Sequence, residues 1–261
     1  LSELAGDTLR HDFRAIDPRC TRIVLVEAAP DLLRSFPASL SRHGRRSLER
    51  LGIEVRTGEV VTDVTADSVT TSGPQGVRTL GTRTVLWAAG VRAAPLARVV
   101  AEATGVVPDP GGRLPVTQEL ALAPFPEIFV IGDMARATGP DGRPLPCLAP
   151  VAMQQGRHVA QTIARRLAGL PARSFRYRNR GELATIGRAA AVADFGPHLR
   201  FSGLPAWLMW LFVHLLYLVG FQNRVLVLVQ WAWHYVTRNR GARIIGEPRG
   251  TSDSREDPSW A

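Results

Sequence analysis

Four consecutive apolar residues, Ile128-Phe129-Val130-Ile131, run directly into Gly132-Asp133. No other stretch restricts the fold as strongly. A short apolar run without alternation reads as a strand buried on both faces, inside a sheet covered by helices. Gly132 permits a sharp turn or the close approach of a ligand to the backbone. Asp133 then stands at the carboxyl end of a strand, where open α/β sheets bind ligands. An ionised carboxylate only accepts hydrogen bonds, so it suits a ligand offering hydroxyls. The alternative is a strand-to-turn corner whose acid is simply solvated. After a Gly/Pro-rich loop at 139–146, residues 150–167 contain few breakers and carry apolar side chains at Val151, Ala152, Val159, Ile163 and Leu167. That pattern predicts a helix with Pro150 in its first turn, where a missing N–H costs nothing. Its positive end would point toward whatever Asp133 binds.

Upstream, residues 1–14 read as a helix with Leu1, Leu4, Ala5, Leu9 and Phe13 on one face. Residues 22–27 read as a strand ending in Glu27. In dinucleotide folds an acid at such a strand end takes the ribose hydroxyls of NAD; the alternative is an acid facing water. A helix over 38–51 closed by Gly52, a strand over 53–57, and hairpin strands between 59 and 85 follow. Residues 84–91 predict another buried strand ending in Ala88-Ala89-Gly90. Small side chains there let a flat ligand approach the backbone, or serve tight packing. Residues 111–126 read as a linker. Beyond the helix, 175–177, 182–188 and 189–195 read as strands.

The pairing of Ile131-Gly132-Asp133 with Ala152-Met153-Gln154-Gln155-Gly156 resembles the type II NADH dehydrogenases, single-subunit membrane-attached flavoproteins that pass electrons from NADH through FAD to a quinone. Trp87-Ala88-Ala89-Gly90-Val91, Leu183-Ala184-Thr185-Ile186-Gly187-Arg188 and Ser2-Glu3-Leu4-Ala5-Gly6 are similar to the same family. The resemblance implies that Asp133, with Gly132 and Ala152, holds the ribityl side of FAD. It places Ala89 and Gly90 at the crossover into the FAD domain, and Gln154 and Gln155 beside the isoalloxazine ring and the quinone. It sets Glu3 near nicotinamide and flavin, although an acid in a first helical turn is also what the helix dipole favours. Glu27 implies NADH over NADPH, because a phosphate would meet its negative charge. The family often has Ala-Gln where this chain has Ala149-Pro150, so one amide of the pattern is missing.

Residues 201–236 are rich in Trp, Leu and Val, with Arg224 between two apolar runs and Arg238, Arg240 and Arg243 after them. The first run is marginal for a membrane span and the second too short. Trp207, Trp210, Tyr217, Trp231, Trp233 and Tyr235 are aromatics of the kind enriched at headgroup level. The reading is an interfacial anchor, with a span or a soluble core pair as alternatives. Each flanking arginine adds about 1 kcal/mol toward an anionic leaflet, against about 1.5–3 kcal/mol for each buried Leu or Phe, so burial dominates. His214 is either a proton donor on the quinone side or a polar residue at the interface.

The formal net charge is +9, and all the fixed cations are arginine. The arginines are scattered and no nucleic-acid motif occurs, so nucleic-acid binding is set aside. Cys20 and Cys147 form neither a disulfide framework nor a metal site. Residues 1–13 lack the apolar core of a secretory leader.

No G-x-G-x-x-G occurs, although family members carry one such loop for FAD and one for NADH. The expected fold is therefore α/β: an incomplete pair of Rossmann-like dinucleotide-binding domains of a flavoprotein, with a C-terminal membrane-associated helical region. Residues 1–110 would form a partial NAD(H)-binding domain lacking its first strand and glycine loop. Residues 111–172 would form the C-terminal part of the FAD domain, 173–246 the C-terminal strands and membrane-anchoring helices, and 247–261 a disordered tail. The expected function is FAD-dependent NADH:quinone oxidoreduction at the cytoplasmic face of the cell membrane, by an N-terminally truncated chain. Its expected partners are NADH, a membrane quinone and an anionic lipid surface, and a homodimer is allowed. The competing expectation is an inactive membrane-surface fragment without cofactor.

Overall fold

The computed structural model describes residues 1–8, 15–217 and 221–237. Of the expected N-terminal helix, residues 1–8 form a short helical start that widens into a π-helical turn at Leu4–Thr8; the rest of it, and the expected disordered tail, lie outside the described residues. The chain divides into two compact units, residues 1–83 with 181–261, and residues 84–180.

In the first unit, β1 (Ile23–Glu27) pairs in parallel with β2 (Ile53–Thr57), Glu27 standing opposite Thr57. The connection is α1 (Ala38–Arg50), as a parallel pair requires a crossover. It buries Leu40 and Gly44, and a Cβ on Gly44 would lie 3.0 Å from Leu33 Cδ1. The helix closes at Gly52, which has φ +77°. The strands β3 (Val60–Val64), β4 (Ser68–Gly73) and β5 (Gly76–Gly81) then form an antiparallel sheet. These elements match the sequence reading.

The second unit departs from it in five places. Residues 84–91 belong to no sheet, and Leu86 and Trp87 are 66% and 64% exposed. Extended backbone becomes a strand only beside a neighbour that takes its ladder hydrogen bonds. The helix α2 (Pro95–Thr104) follows, unforeseen because Ala97, Val100 and Ala101 make only a short apolar face. The expected linker is core instead. It holds β6 (Leu114–Pro115) and β7 (Ala121–Leu122), strands too short for any periodicity, and Leu114, Leu120 and Leu122 are fully buried. The expected strand 128–131 is shifted to β8 (Phe125–Phe129), antiparallel to β7. It is not buried on both faces: Val130 is buried, but Ile131 is 40% exposed.

Past β8 comes a 3-10 turn, Gly132–Met134, and then β9 (Ala135–Arg136), parallel to β6. The helix α3 (Ala149–Leu167) forms as expected, with Pro150 in its first turn. It buries Val151, Gln155, Val159 and Thr162, a spacing of four, four and three that defines one face. Residues 175–177 belong to no helix or sheet, correcting the expected strand.

The chain then returns to the first unit. There β10 (Glu182–Gly187), β11 (Ala190–Asp194) and the unforeseen β12 (Arg200–Gly203) form an antiparallel sheet that packs against α1. Ala191 and Ala193 pack with Ala206 of α4 (Leu204–Tyr217), which is followed by α5 (Phe221–Thr237). The Trp210 and Trp231 rings stack across these two helices at 5.9 Å. Elsewhere the pair leaves apolar side chains exposed, among them Leu208, Phe212, Leu226, Val229 and Trp233. No helix among the described residues is long and apolar enough to cross a membrane.

Candidate functional site

The Gly-Asp turn is held by a buried amide. Gly132 has φ +68°, a left-handed conformation natural to glycine. Its N–H donates to Gln155 Oε1 at 2.6 Å, and Gln155 is 1% exposed. A Cβ on Gly132 would lie 3.7 Å from Ala152 Cβ, so Ala152 lines the same corner. The helix α3 packs against the turn and begins without a side-chain cap, because Leu148 occupies the capping position. Its first N–H groups and dipole therefore keep their positive character. Asp133 is exposed and makes no hydrogen bond or ion pair among the described residues.

Gln154 has a different job. Its Nε2 donates to Arg178 O and its Oε1 accepts from Arg178 N–H, both at 3.0 Å. This two-bond clamp pairs both main-chain groups of Arg178, which lies outside any sheet, as a strand neighbour would. Two more bonds tie the run down: Phe175 N–H to Gln118 O at 2.7 Å and Arg165 Nε to Pro171 O at 2.8 Å. Sequence reasoning missed these tethers, since none has a motif.

The remaining candidates lie elsewhere. Ala89 and Gly90 are exposed on the irregular 84–91 stretch, and Gly90 has φ +79° with open space where a Cβ would stand. Glu3 and Glu27 belong to the first unit. Glu3 Oε1 accepts Arg188 N–H at 2.7 Å, and Ser2 Oγ donates to Leu51 O. Glu27, at the carboxyl end of β1, accepts Ala29 N–H at 2.8 Å. His214 leans on Trp210 of its own helix, rings 4.1 Å apart, with Nδ1 3.2 Å from Trp210 O. No group of metal-ligating side chains occurs among the described residues.

His158 has a consequence for pH. Its ring packs on Phe175 at 5.4 Å, and its Nε2 is buried without a partner. Burial pushes its pKa below the usual 6.5, against the opposing pull of the Arg173 main chain and the Glu119 charge. The unfolded chain therefore takes up a proton that the folded one refuses. The stabilisation is complete above about pH 6.5 and is lost as pH falls through the folded value. Denaturant unfolding from about pH 7 to 5 should show stability declining, and His158→Phe should flatten that slope. An unchanged slope would sink this account.

A parallel β-α-β unit with an acid at its carboxyl end, and a Gly-Asp turn beneath an uncapped helix, are the parts of a dinucleotide-binding α/β protein. Residues 10–156 match the family model described as pyridine nucleotide-disulphide oxidoreductase, and the chain belongs to that family. Residues 179–238 match the model of the NDH2 C-terminal domain. The chain is 38% identical over 259 residues to the type II NADH:quinone oxidoreductase Ndh of Mycobacterium tuberculosis, covering 98% of itself and 55% of that protein. It is 37% identical to NdhA of the same organism, covering 93% of itself and 52% of that protein. The chain thus spans about half the length of these curated relatives. Among solved structures it resembles NDH2 from Plasmodium falciparum in complex with NADH, with a TM-score of 0.76 at 15% identity, over 90% of this chain and 62% of that one. It also resembles the sulfide:quinone oxidoreductase of Aquifex aeolicus, with a TM-score of 0.57 at 14% identity, over 83% of this chain and 50% of that one. These likenesses bear out the expected α/β fold class.

Proposed function

We propose that this chain supplies the nicotinamide-facing, flavin-holding and membrane-facing parts of a type II NADH:quinone oxidoreductase at the cytoplasmic face of the cell membrane. The observation that carries the proposal is the free Asp133 carboxylate, presented on a turn locked by Gln155 under the uncapped start of α3. That donor set fits FAD. The carboxylate accepts from ribityl hydroxyls, and the helix start favours negative charge on a reduced ring. When bound, the flavin supplies the two-electron chemistry between NADH and quinone.

The chain's own residues orient and hold. Glu27 accepts ribose hydroxyls of NADH and repels a phosphate there. Glu3 commits Oε1 to Arg188 N–H and keeps Oε2 as a polar acceptor beside the nicotinamide. Gln155 sets the turn, and Gln154 sets the segment at Arg178, so both border the flavin and quinone through the backbone they grip. Ala89 and Gly90 leave room for a flat ring. In this reading residues 1–110 serve NAD(H), 111–172 serve FAD, and 173–246 meet the membrane, where the exposed apolar side chains of α4 and α5 enter the interface beside the quinone. A homodimer belongs to the same proposal.

The test is to incubate the chain with FAD in mild detergent, pass it over a sizing column, and add NADH. Flavin colour that travels with the protein, bleaches with NADH and returns with a quinone supports the proposal. Elution volume reports the dimer. A colourless protein that still binds liposomes would replace it with the inactive membrane-surface reading.

A further inference from the structure

Between Asp141 and Glu182 the chain has eight arginines and no acidic residue. Four of the arginines fall on residues 171–180, a segment that α3 helps to tether. Arg173, Arg176, Arg178 and Arg180 are all exposed, and none has a carboxylate partner among the described residues. The hydrogen bonds that hold this segment at Pro171, Phe175 and Arg178 use its main chain. The guanidinium groups are thus left outward on a backbone that is already fixed. Exposure alternates along the run: Arg176 and Arg178 are exposed, the neighbouring Phe175 and Tyr177 are half-buried, and Arg180 is exposed beyond them.

We infer that Arg176, Arg178 and Arg180 form a docking stripe for the headgroups of an anionic phospholipid surface. This rests on the membrane reading above and adds where the headgroup charge is met. A single-stranded nucleic acid needs aromatic faces beside the cations for its bases to stack on, and here the neighbouring aromatics are half-buried. Arginine suits phosphate oxygens because its planar fork donates in pairs and keeps its charge at any physiological pH. A backbone that is already fixed also loses little further freedom on docking.

The test is co-sedimentation of the full chain with vesicles of neutral phosphatidylcholine and with vesicles carrying phosphatidylglycerol. The triple variant R176S/R178S/R180S is compared with R42S/R46S/R50S, which removes the same charge from exposed positions on α1. At about fivefold per arginine near the surface, the stripe variant should lose roughly a hundredfold in affinity for anionic vesicles. Its affinity for neutral vesicles should be unchanged. The preference should collapse in about 1 M salt, where the screening length falls to about 3 Å. It should be flat between about pH 5 and 8, because arginine does not titrate there. Equal losses in both triple variants would reduce the stripe to net charge and overturn it. Wild-type binding that ignores lipid charge would also overturn it while leaving the apolar anchor standing. Failure of the wild type to bind either vesicle would remove the membrane reading itself. Binding to an oligonucleotide that the stripe variant loses, with vesicle binding unaffected, would assign the arginines to the other polyanion. Circular dichroism of both variants checks that the fold is kept.

Discussion

Asp133→Ala should abolish flavin retention while leaving the protein folded. The carboxylate is exposed and unpaired, so its removal strands no buried partner and opens no cavity. Its loss is therefore confined to the ligand. Two hydrogen bonds from ribityl hydroxyls to an ionised acceptor are worth about 1.5–3 kcal/mol each, and losing both lowers affinity by roughly a hundred- to ten-thousand-fold. Titration of free flavin by fluorescence quenching gives the dissociation constants, and thermal unfolding of the two apo-proteins checks the fold. Asp133→Asn keeps acceptor capacity and should recover part of the loss. An alanine variant that binds flavin as tightly as the wild type would return Asp133 to the role of a solvated corner.

Gln155 should show the opposite division, because it is buried and serves the protein first. In Gln155→Met the side-chain volume is nearly kept, but the Gly132 N–H loses its acceptor. A buried donor left unpaired costs about 1–3 kcal/mol, which lowers the unfolding midpoint by about 3–10 °C for a chain of this size. Flavin affinity should fall in the same variant, since Gly132 precedes Asp133 and sets its direction. Gln154→Met is the natural contrast. Its two bonds to Arg178 lie near solvent, and water replaces them. That change should cost less than about 1 kcal/mol. If Gln154→Met destabilises as much as Gln155→Met, the distinction between a buried lock and a surface clamp fails.

These two residues also show what could be read before the fold was known. A helix over 150–167 was legible, because nearly twenty residues with few breakers leave little choice. The Gly-Asp corner was legible for the same reason: an apolar run must stop, and the residue that stops it lies at a strand end. The work done by the glutamines was not legible. Adjacent residues on a helix point about 100° apart, so Gln155 faces the turn and Gln154 faces the segment at Arg178. Nothing local says which amide will be buried. The sheet around 111–126 was hidden because two-residue strands carry no period, and Leu114, Leu120 and Leu122 sit too far apart to advertise a core. Residues 84–91 erred in the other direction. Their composition is that of a strand, but a ladder depends on a neighbour, which composition does not report.

The discontinuous build of the first unit sets an order on how the chain can assemble. The contacts of α1 with β10 and β11 join residues separated by more than a hundred positions, with the whole second unit between them. At about 5–20 residues per second during synthesis, α1 emerges roughly ten seconds before the strands that cover it. The second unit is contiguous and can close on itself in that interval. The first must hold the face of α1 that meets β10 and β11, where Gly44 lies near Ile186, uncovered until the chain returns, so its early half depends on the rest of synthesis, and arrest after residue 180 would strand it.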